Sequence, residues 1–352
     1  MEKAYQDFYM YQEIHEQASM IPNIIKKNQK YFNEIAEIVK IRNIKEIVFV
    51  ARGSSEHACL VAKYFAEINT KMRVTMVQPS IITAYQAKVN YSNTLCIGVS
   101  QSGGAKDVIR VVEYCKIQGA ETLTLTNVQG SELSSIGDIN LNNECGKEYC
   151  VTATKSFLSQ VVILMAMIAT IAEDKVLLKT LNQLDKPIEK ALTYENQIEK
   201  FMPMFKDEDG ILLFARGIQF AMGLEIELKL QETCTIDARC YATSDYRHGP
   251  IVTLNKKQYP AIFYIADKHT NRDVIELLED IHFNKHVPVM VFTDREDVAN
   301  RYPSVLIDAE DNYLEALFIN LVLSQLLSFM LSLARGYNPD APIGVTKNTV
   351  TY

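Results

Sequence analysis

The feature that most constrains this chain is a repetition. Ile47-Val-Phe-Val-Ala-Arg-Gly53 returns as Ile211-Leu-Leu-Phe-Ala-Arg-Gly217, Asp107-Val-Ile109 as Asp273-Val-Ile275, and Thr122–Asn127 as Val289–Asp294. The offsets agree within a few residues. Repetition on this scale means two copies of one α/β unit, not a solenoid of short repeats. In the first copy, Ile44–Ala51, Val74–Gln78, Thr94–Val99, Glu121–Thr126 and Ile139–Asn142 read as strands. Helical patterns run from Ser55 to about Asn69, from Ala105 to about Gly119, and over Thr154–Ile171. Alternation of this kind predicts a parallel sheet covered on both faces. The expected fold class is α/β: two tandem units, each a parallel sheet sandwiched by helices, plus a C-terminal tail. The expected segments are a lead-in over 1–30 that ends in a helix near Ile21–Lys30, a first unit over 31–185, a second over 186–335, and a tail over 336–352. Asp185–Lys200, a charged helical stretch, is the expected hinge.

The two copies differ at one turn. The first has Val99-Ser-Gln-Ser-Gly-Gly104 between a strand and a helix. Such a turn presents unpaired backbone N–H groups and the positive end of the helix dipole. Ser100, Gln101 and Ser102 add neutral donors, and Gly103-Gly104 let the backbone approach an anion closely. One serine would suit an ordinary helix cap; the whole string tips the reading toward phosphate. The second copy has Ile265-Ala-Asp-Lys-His-Thr270, with an acidic residue and no glycine, so the phosphate site is not expected twice.

Leu224–Gln231 (LEIELKLQ) alternates apolar and polar residues, which alone indicates a strand. The repeat aligns it with Ser55–Glu67, and Leu, Glu, Lys and Gln are strong helix formers, so a helix is expected. That spacing puts Glu225, Lys229 and Glu232 on one face. Taken alone, the stripe suits a solvated salt-bridged face and a catalytic one equally.

Composition narrows the function. The 352 residues suffice for two domains with cores of their own. Net charge is −7 and no Lys/Arg cluster interleaves with aromatics, which argues against a nucleic-acid partner. The N-terminal Met-Glu-Lys-Ala-Tyr-Gln-Asp has no apolar core of a secretory signal. Cys59, Cys96, Cys115, Cys145, Cys150, Cys234 and Cys240 form no C-x-x-C and lack histidines at zinc-ligand spacing. Free thiols in a reducing cytoplasm, and no metal, are expected. Val161–Ala172 is too short to cross a bilayer. Leu314–Ala334 is long enough, but Glu315, Asn320, Ser324, Gln325 and Ser328 make it a core or subunit-interface helix.

A set of motifs runs through the chain: Ala51-Arg-Gly-Ser-Ser55, Ser100-Gln-Ser-Gly103, Val151-Thr-Ala-Thr-Lys-Ser-Phe157, Leu224-Glu-x-x-Leu-Lys-Leu-x-Glu232, Arg247-His-Gly-Pro250, and Asn338-Pro-Asp-Ala-Pro342 through Lys347. With these the chain resembles the sugar isomerase (SIS) family over nearly its whole length. It is most similar to the isomerase part of glucosamine-6-phosphate synthase and to stand-alone amino-sugar-phosphate deaminases. The resemblance implies that Ser55, Ser100, Gln101, Ser102 and Gly103 hold the phosphate of a hexose 6-phosphate. It adds Gly53, Ser54, Val151 and Lys229 as substrate-site candidates. Glu232 is implied as the acid/base that moves a proton between C1 and C2. His248 is implied to open the sugar ring and to reach a neighbouring subunit's site. Lys347 is implied to close over the site and form an imine with the open-chain sugar. A base beside two adjacent carbons is what aldose–ketose exchange needs, a carboxylate screened from water suits it, and an imine is an electron sink. Without the resemblance, His248 would read as a loop residue capping a turn and Lys347 as a solvated tail lysine. Thr346–Tyr352 offers no apolar burial, so the tail is expected to be a lid ordered by ligand.

The apolar helix Leu314–Ala334, together with a histidine expected to act across subunits, points to a homodimer; no metal or organic cofactor and no nucleic-acid or membrane partner is expected. There are departures. The family's phosphate turn usually has a Thr two residues after its glycine, where this chain has Ala105; Lys106 is the residue that could compensate. The residue after Ala238 is often acidic and is Arg239 here. No Cys follows Met1 and no domain-sized extension precedes the isomerase part, so a glutamine-hydrolysing domain is not expected. The expected function is a phosphosugar isomerase acting on a hexose or amino-hexose 6-phosphate, with deamination coupled to isomerisation. The alternatives are a fructosamine-6-phosphate deglycase and, from another class, a non-catalytic sugar-phosphate sensor.

Overall fold

The computed structural model describes residues 4–309 and 311–347, so residues 348–352 of the expected tail lie outside it. Strands β1 (Glu46–Val50), β2 (Arg73–Met76), β3 (Leu95–Ser100), β4 (Glu121–Thr126) and β5 (Ile139–Asn142) form one parallel sheet in the order β2-β1-β3-β4-β5. Strands β6 (Gly210–Ala215), β7 (Asp237–Ala242), β8 (Ala261–Ile265), β9 (Val289–Thr293) and β10 (Ser304–Leu306) form a second, ordered β7-β6-β8-β9-β10. Matching β6 to β1 makes the two orders the same. The repetition in sequence is therefore a repetition of topology, and the expected α/β class is the observed one. Registers such as Val48 opposite Cys96 and Leu213 opposite Ile262 keep the apolar runs in step. The central strands are buried on both faces, which is why they read as continuous Val, Ile, Leu and Phe.

The chain divides into two compact units. The first-repeat unit comprises Ser19–Glu148, Ala153–Asp185 and, in the tail, Thr346 and Lys347. The second-repeat unit comprises, among the described residues, Ala4–Ala18, Tyr149–Thr152 and those of Lys186–Val345. In the first, Val48, Val50, Val108, Ile109, Val112 and Leu133 share a core, and helices Ser54–Asn69 and Lys155–Ile171 pack on one another. In the second, Phe214, Tyr246, Phe263, Leu277, Val289 and Val291 share a core, and helices Ile218–Cys234 and Tyr313–Ala334 pack together. Fully burying each large aliphatic side chain contributes about 1.5–3 kcal/mol.

Tyr313–Ala334 is long and apolar enough to cross a membrane, yet 94% of its most apolar window is buried inside the protein. Its serines are satisfied there. Ser324 bonds Tyr264 Oη (2.9 Å), Ser328 donates to the Gln325 carbonyl (2.9 Å), and Ser332 donates to the Thr233 carbonyl (2.8 Å). It is a core helix.

The lead-in differs from expectation. One helix runs over Tyr9–Ile41 straight through Pro22. Proline removes the bond to the Ala18 carbonyl. Buried Ile14, Ile21, Ile24 and Ile25 on either side hold it together. The Asp340 carboxylate fixes its start, accepting from the amides of Tyr9 (2.9 Å) and Met10 (2.8 Å).

Candidate active site

In an open parallel sheet, ligands collect beyond the carboxyl ends of the strands where the strand order reverses. In the first-repeat unit that point lies between β1 and β3. Both strands run into helices there. Gly53 (φ +55°) begins Ser54–Asn69 and Ala105 begins Lys106–Ile117, and neither supplies a capping side chain. Two helix N-termini with their positive dipole ends thus lack a side-chain acceptor at the cap position. Ser55 and Ser100 are buried at this point, while Ser54, Gln101 and Ser102 are half-buried. Ser100 Oγ accepts from the Gly103 amide (3.2 Å) and Ser102 Oγ from the Gly104 amide (3.4 Å). The Gln101 carbonyl accepts from the Asn127 amide (3.0 Å), tying the turn to the end of β4. Gly103 has φ +66°, and a Cβ there would lie 2.0 Å from Ser131 Oγ, so the turn closes only with glycine. Arg52 Nε donates to buried Asp107 (2.7 Å), joining the end of β1 to the start of the next helix. A Cβ at Gly53 would meet nothing within 4 Å among the described residues. The result is an open cradle of hydroxyls and backbone amides, suited to a phosphate. Lys106, the residue that could compensate for the hydroxyl Ala105 lacks, is ion-paired with Glu132.

The second-repeat unit builds the same frame and fills it. Arg216 pairs with Asp273 (2.7 Å) as Arg52 does with Asp107, and Gly217 (φ +63°) begins its helix as Gly53 does. Here, however, a Cβ at Gly217 would sit 3.1 Å from the Thr270 methyl and 3.6 Å from Asp267 Oδ2. The Asp267 carboxylate accepts from the His269 amide (3.0 Å), and its carbonyl accepts from the amides of Thr270 and Asn271 (2.9 Å each). The amides of His269, Thr270 and Asn271 are thus all bonded to Asp267 within the turn.

LEIELKLQ lies in helix Ile218–Cys234, and its charged stripe faces inward. Side-chain exposure is 0% for Glu225, 1% for Lys229 and 21% for Glu232. The solvated-face alternative is thereby removed. Lys229 Nζ lies 2.6 Å from Glu232 Oε2 and 3.5 Å from Glu225 Oε1. Burial pulls the Lys229 pKa down, but the two carboxylates outweigh it and the net shift is upward. Lys229 therefore stays a cation that orients Glu232. Glu232 also lines a cavity of about 140 Å³ with Thr233, Tyr337, Asn338 and Pro342. A partly screened carboxylate held from behind and facing a cavity can carry a proton.

His248 ends the short helix Thr243–Arg247 and is exposed. Among the described residues its ring makes no hydrogen bond or ion pair. Val151 is half-buried, and its amide donates to the Asp340 carbonyl (3.2 Å). The tail lysine was expected to wait for a ligand. Instead Lys347 Nζ lies 2.7 Å from Glu148 Oε2, a wholly buried carboxylate that the sequence reading missed. The available signal was an acidic residue shortly before a long apolar helix, the place where a carboxylate accepts otherwise unpaired amides. The first-repeat unit thus holds Ser55, Ser100, Gln101, Ser102 and Lys347, and the second-repeat unit holds Glu232, Lys229, Val151 and His248. All seven cysteines are buried and free, and no three His, Cys, Asp or Glu side chains cluster as metal ligands among the described residues.

Comparison with known proteins bears on this geometry. Residues 40–170 and 204–335 each match the SIS domain family. A glutamine–fructose-6-phosphate aminotransferase (isomerizing) of Thermococcus kodakarensis is 29% identical over 360 residues, covering 99% of this chain and 58% of the relative. The chain spans between half and three fifths of the length of the curated relatives it matches. The C-terminal domain of glucosamine-fructose-6-phosphate aminotransferase from Francisella tularensis superposes with a TM-score of 0.83 at 24% identity, covering 95% of this chain and 98% of that one. Glucosamine-6-phosphate deaminase from Thermotoga maritima gives a TM-score of 0.77 at 19% identity, covering 97% and 100%. These two structures share the fold.

Proposed function

This chain belongs to the SIS domain family, and we propose that it is a phosphosugar isomerase acting on a hexose or amino-hexose 6-phosphate, with deamination coupled to isomerisation. The observation that carries the reading is the contrast between the two repeats: the same glycine-headed turn is open at Gly53 and filled by Asp267 and Thr270 at Gly217. A fold that duplicates everything but leaves one switch point open, ringed by Ser55, Ser100, Gln101 and Ser102, suits one anionic ligand.

In this reading the cradle holds the 6-phosphate and Glu232 moves a proton between C1 and C2, kept in place by Lys229. Lys347 loses a proton, its nitrogen bonds the carbonyl carbon, and the carbonyl oxygen leaves as water, giving an imine that withdraws electrons from the neighbouring carbon. His248, exposed in the single chain, opens the sugar ring in the site of a second copy, which requires a homodimer. The names of relatives that aminate or deaminate a hexose 6-phosphate support the amino-sugar version.

The test is a panel of sugar 6-phosphates, including glucosamine 6-phosphate, fructose 6-phosphate and a fructosamine 6-phosphate, assayed for ammonia release, isomerisation and amino-acid release. Ammonia release with glucosamine 6-phosphate is expected. Amino-acid release alone would make the protein a deglycase. A thermal shift without turnover of any compound would make it a sensor and overturn the enzyme reading.

A further inference from the structure

Glu148 has no exposed side-chain surface, yet its carboxylate is ringed by donors. Oε1 accepts from the amides of Thr154 and Ser156 (3.0 Å each). Oε2 accepts from Ser156 Oγ (2.8 Å) and from Lys347 Nζ (2.7 Å). Two jobs are divided between the two oxygens. Oε1 caps the helix Lys155–Ile171, and Oε2 holds the tail lysine. We propose that Glu148 is a positioning residue for Lys347, docking the tail ammonium in the absence of substrate so that the nucleophile is delivered from a fixed place.

This rests on the proposed role of Lys347 in imine formation. The local charges favour an ionised Glu148. Burial pushes its pKa up, but the Lys347 charge and the hydrogen bonds outweigh that and hold it below the ordinary glutamate value. Nearby Cys145, which feels the charges of Glu148, Lys155 and Lys347, is pushed up to about 12 by burial and so stays neutral. Tail segments without apolar anchors are otherwise mobile. A buried carboxylate supplies the anchor that the tail's composition lacks.

Glu148→Gln separates the two jobs, because a carboxamide oxygen can still accept the Thr154 and Ser156 amides while the charge that holds Lys347 is gone. The first readout is trypsin cleavage after Lys347, followed by mass spectrometry. Trypsin must take the lysine side chain into its own pocket, so the rate reports the undocked fraction. Glu148→Gln should raise that rate about ten-fold, the ratio expected for losing a charge-assisted hydrogen bond, while cleavage at exposed Lys175 and Lys206 stays unchanged. Glu148→Asp, which keeps the charge, should fall between. The second readout is borohydride trapping with fructose 6-phosphate, where Glu148→Gln should reduce the Lys347 adduct about ten-fold. An unchanged trypsin rate at Lys347, or equal acceleration at all three lysines, would overturn the docking role. If wild type forms no adduct at all, the imine reading fails, and the trypsin rates still decide whether Glu148 docks the tail.

Discussion

Replacing Gly53 and Gly217 by alanine, one at a time, makes a matched pair. Their backbones are nearly the same, at φ +55°, ψ −135° and φ +63°, ψ −140°, a region that side chains other than glycine rarely enter. Each alanine should therefore cost about 1–3 kcal/mol of folding stability from strain. The Gly217 methyl adds only a 3.1 Å contact with the Thr270 methyl, which a small shift relieves. What distinguishes the two is the space the methyl enters. At Gly53 it enters open space, which in the proposed reading a phosphate oxygen would occupy; at Gly217 it joins a turn already filled. Losing one or more hydrogen bonds to a charged group costs about 1.5–3 kcal/mol, so Gly53→Ala should weaken fructose 6-phosphate binding about ten- to hundred-fold. Gly217→Ala should leave it within about two-fold. Stability is read by urea denaturation at constant m-value and affinity by titration calorimetry. Equal losses of affinity in the two variants, or no loss in Gly53→Ala, would refute the assignment of the cradle.

Three further outcomes follow from the same geometry. Ser102→Ala should raise KM for a 6-phosphosugar about ten-fold or more, while Thr270→Ala and Lys106→Ala should leave it unchanged, because Thr270 packs in the filled turn and Lys106 is engaged with Glu132; steady-state kinetics check all three. Lys229→Met should destabilise by about 3–5 kcal/mol, since it strands the buried Glu225 carboxylate without its cation, and a loss below about 1 kcal/mol in urea denaturation would contradict a buried ionic cluster. Glu148 has a folded pKa below its ordinary 4.5, so the stability it contributes is whole above that pH and is lost as pH falls through the lower folded value. The stability gap between wild type and Glu148→Gln should then be flat from pH 7 to 5 and shrink below 4.5, as denaturation at a series of pH values would show.

Much of the fold is written in local patterns. The repeated Ala-Arg-Gly and Asp-Val-Ile strings carry the two partners of one ion pair, Arg52–Asp107 and Arg216–Asp273. The repeat was legible, but the pairing was not, because partners 55 and 57 positions apart meet only through the crossover. The absence of glycine and the presence of Asp267 pointed to a turn unable to bind an anion, and the carboxylate does take up the amide of His269. The inward turn of Lys229 was not legible. Charged residues are seldom fully buried, and LEIELKLQ gives no sign of which face of its helix the core covers. The first helix runs well beyond the Ile21–Lys30 stretch that was expected, because apolar burial on both sides of Pro22 outweighs the hydrogen bond the proline removes. Glu148 went unnoticed because its importance comes from contacts with Thr154, Ser156 and Lys347, and the last of these is 199 positions away.

The central claim is that the cradle of the first repeat presents a sugar phosphate to Lys347. Its most direct test is incubation of wild-type protein with fructose 6-phosphate, reduction with borohydride, and mapping of the adduct by peptide mass spectrometry. The account predicts one hexose-phosphate adduct, on Lys347, abolished by Lys347→Met and much reduced by Gly53→Ala. An adduct on a different lysine, or turnover undiminished in Lys347→Met, would contradict it.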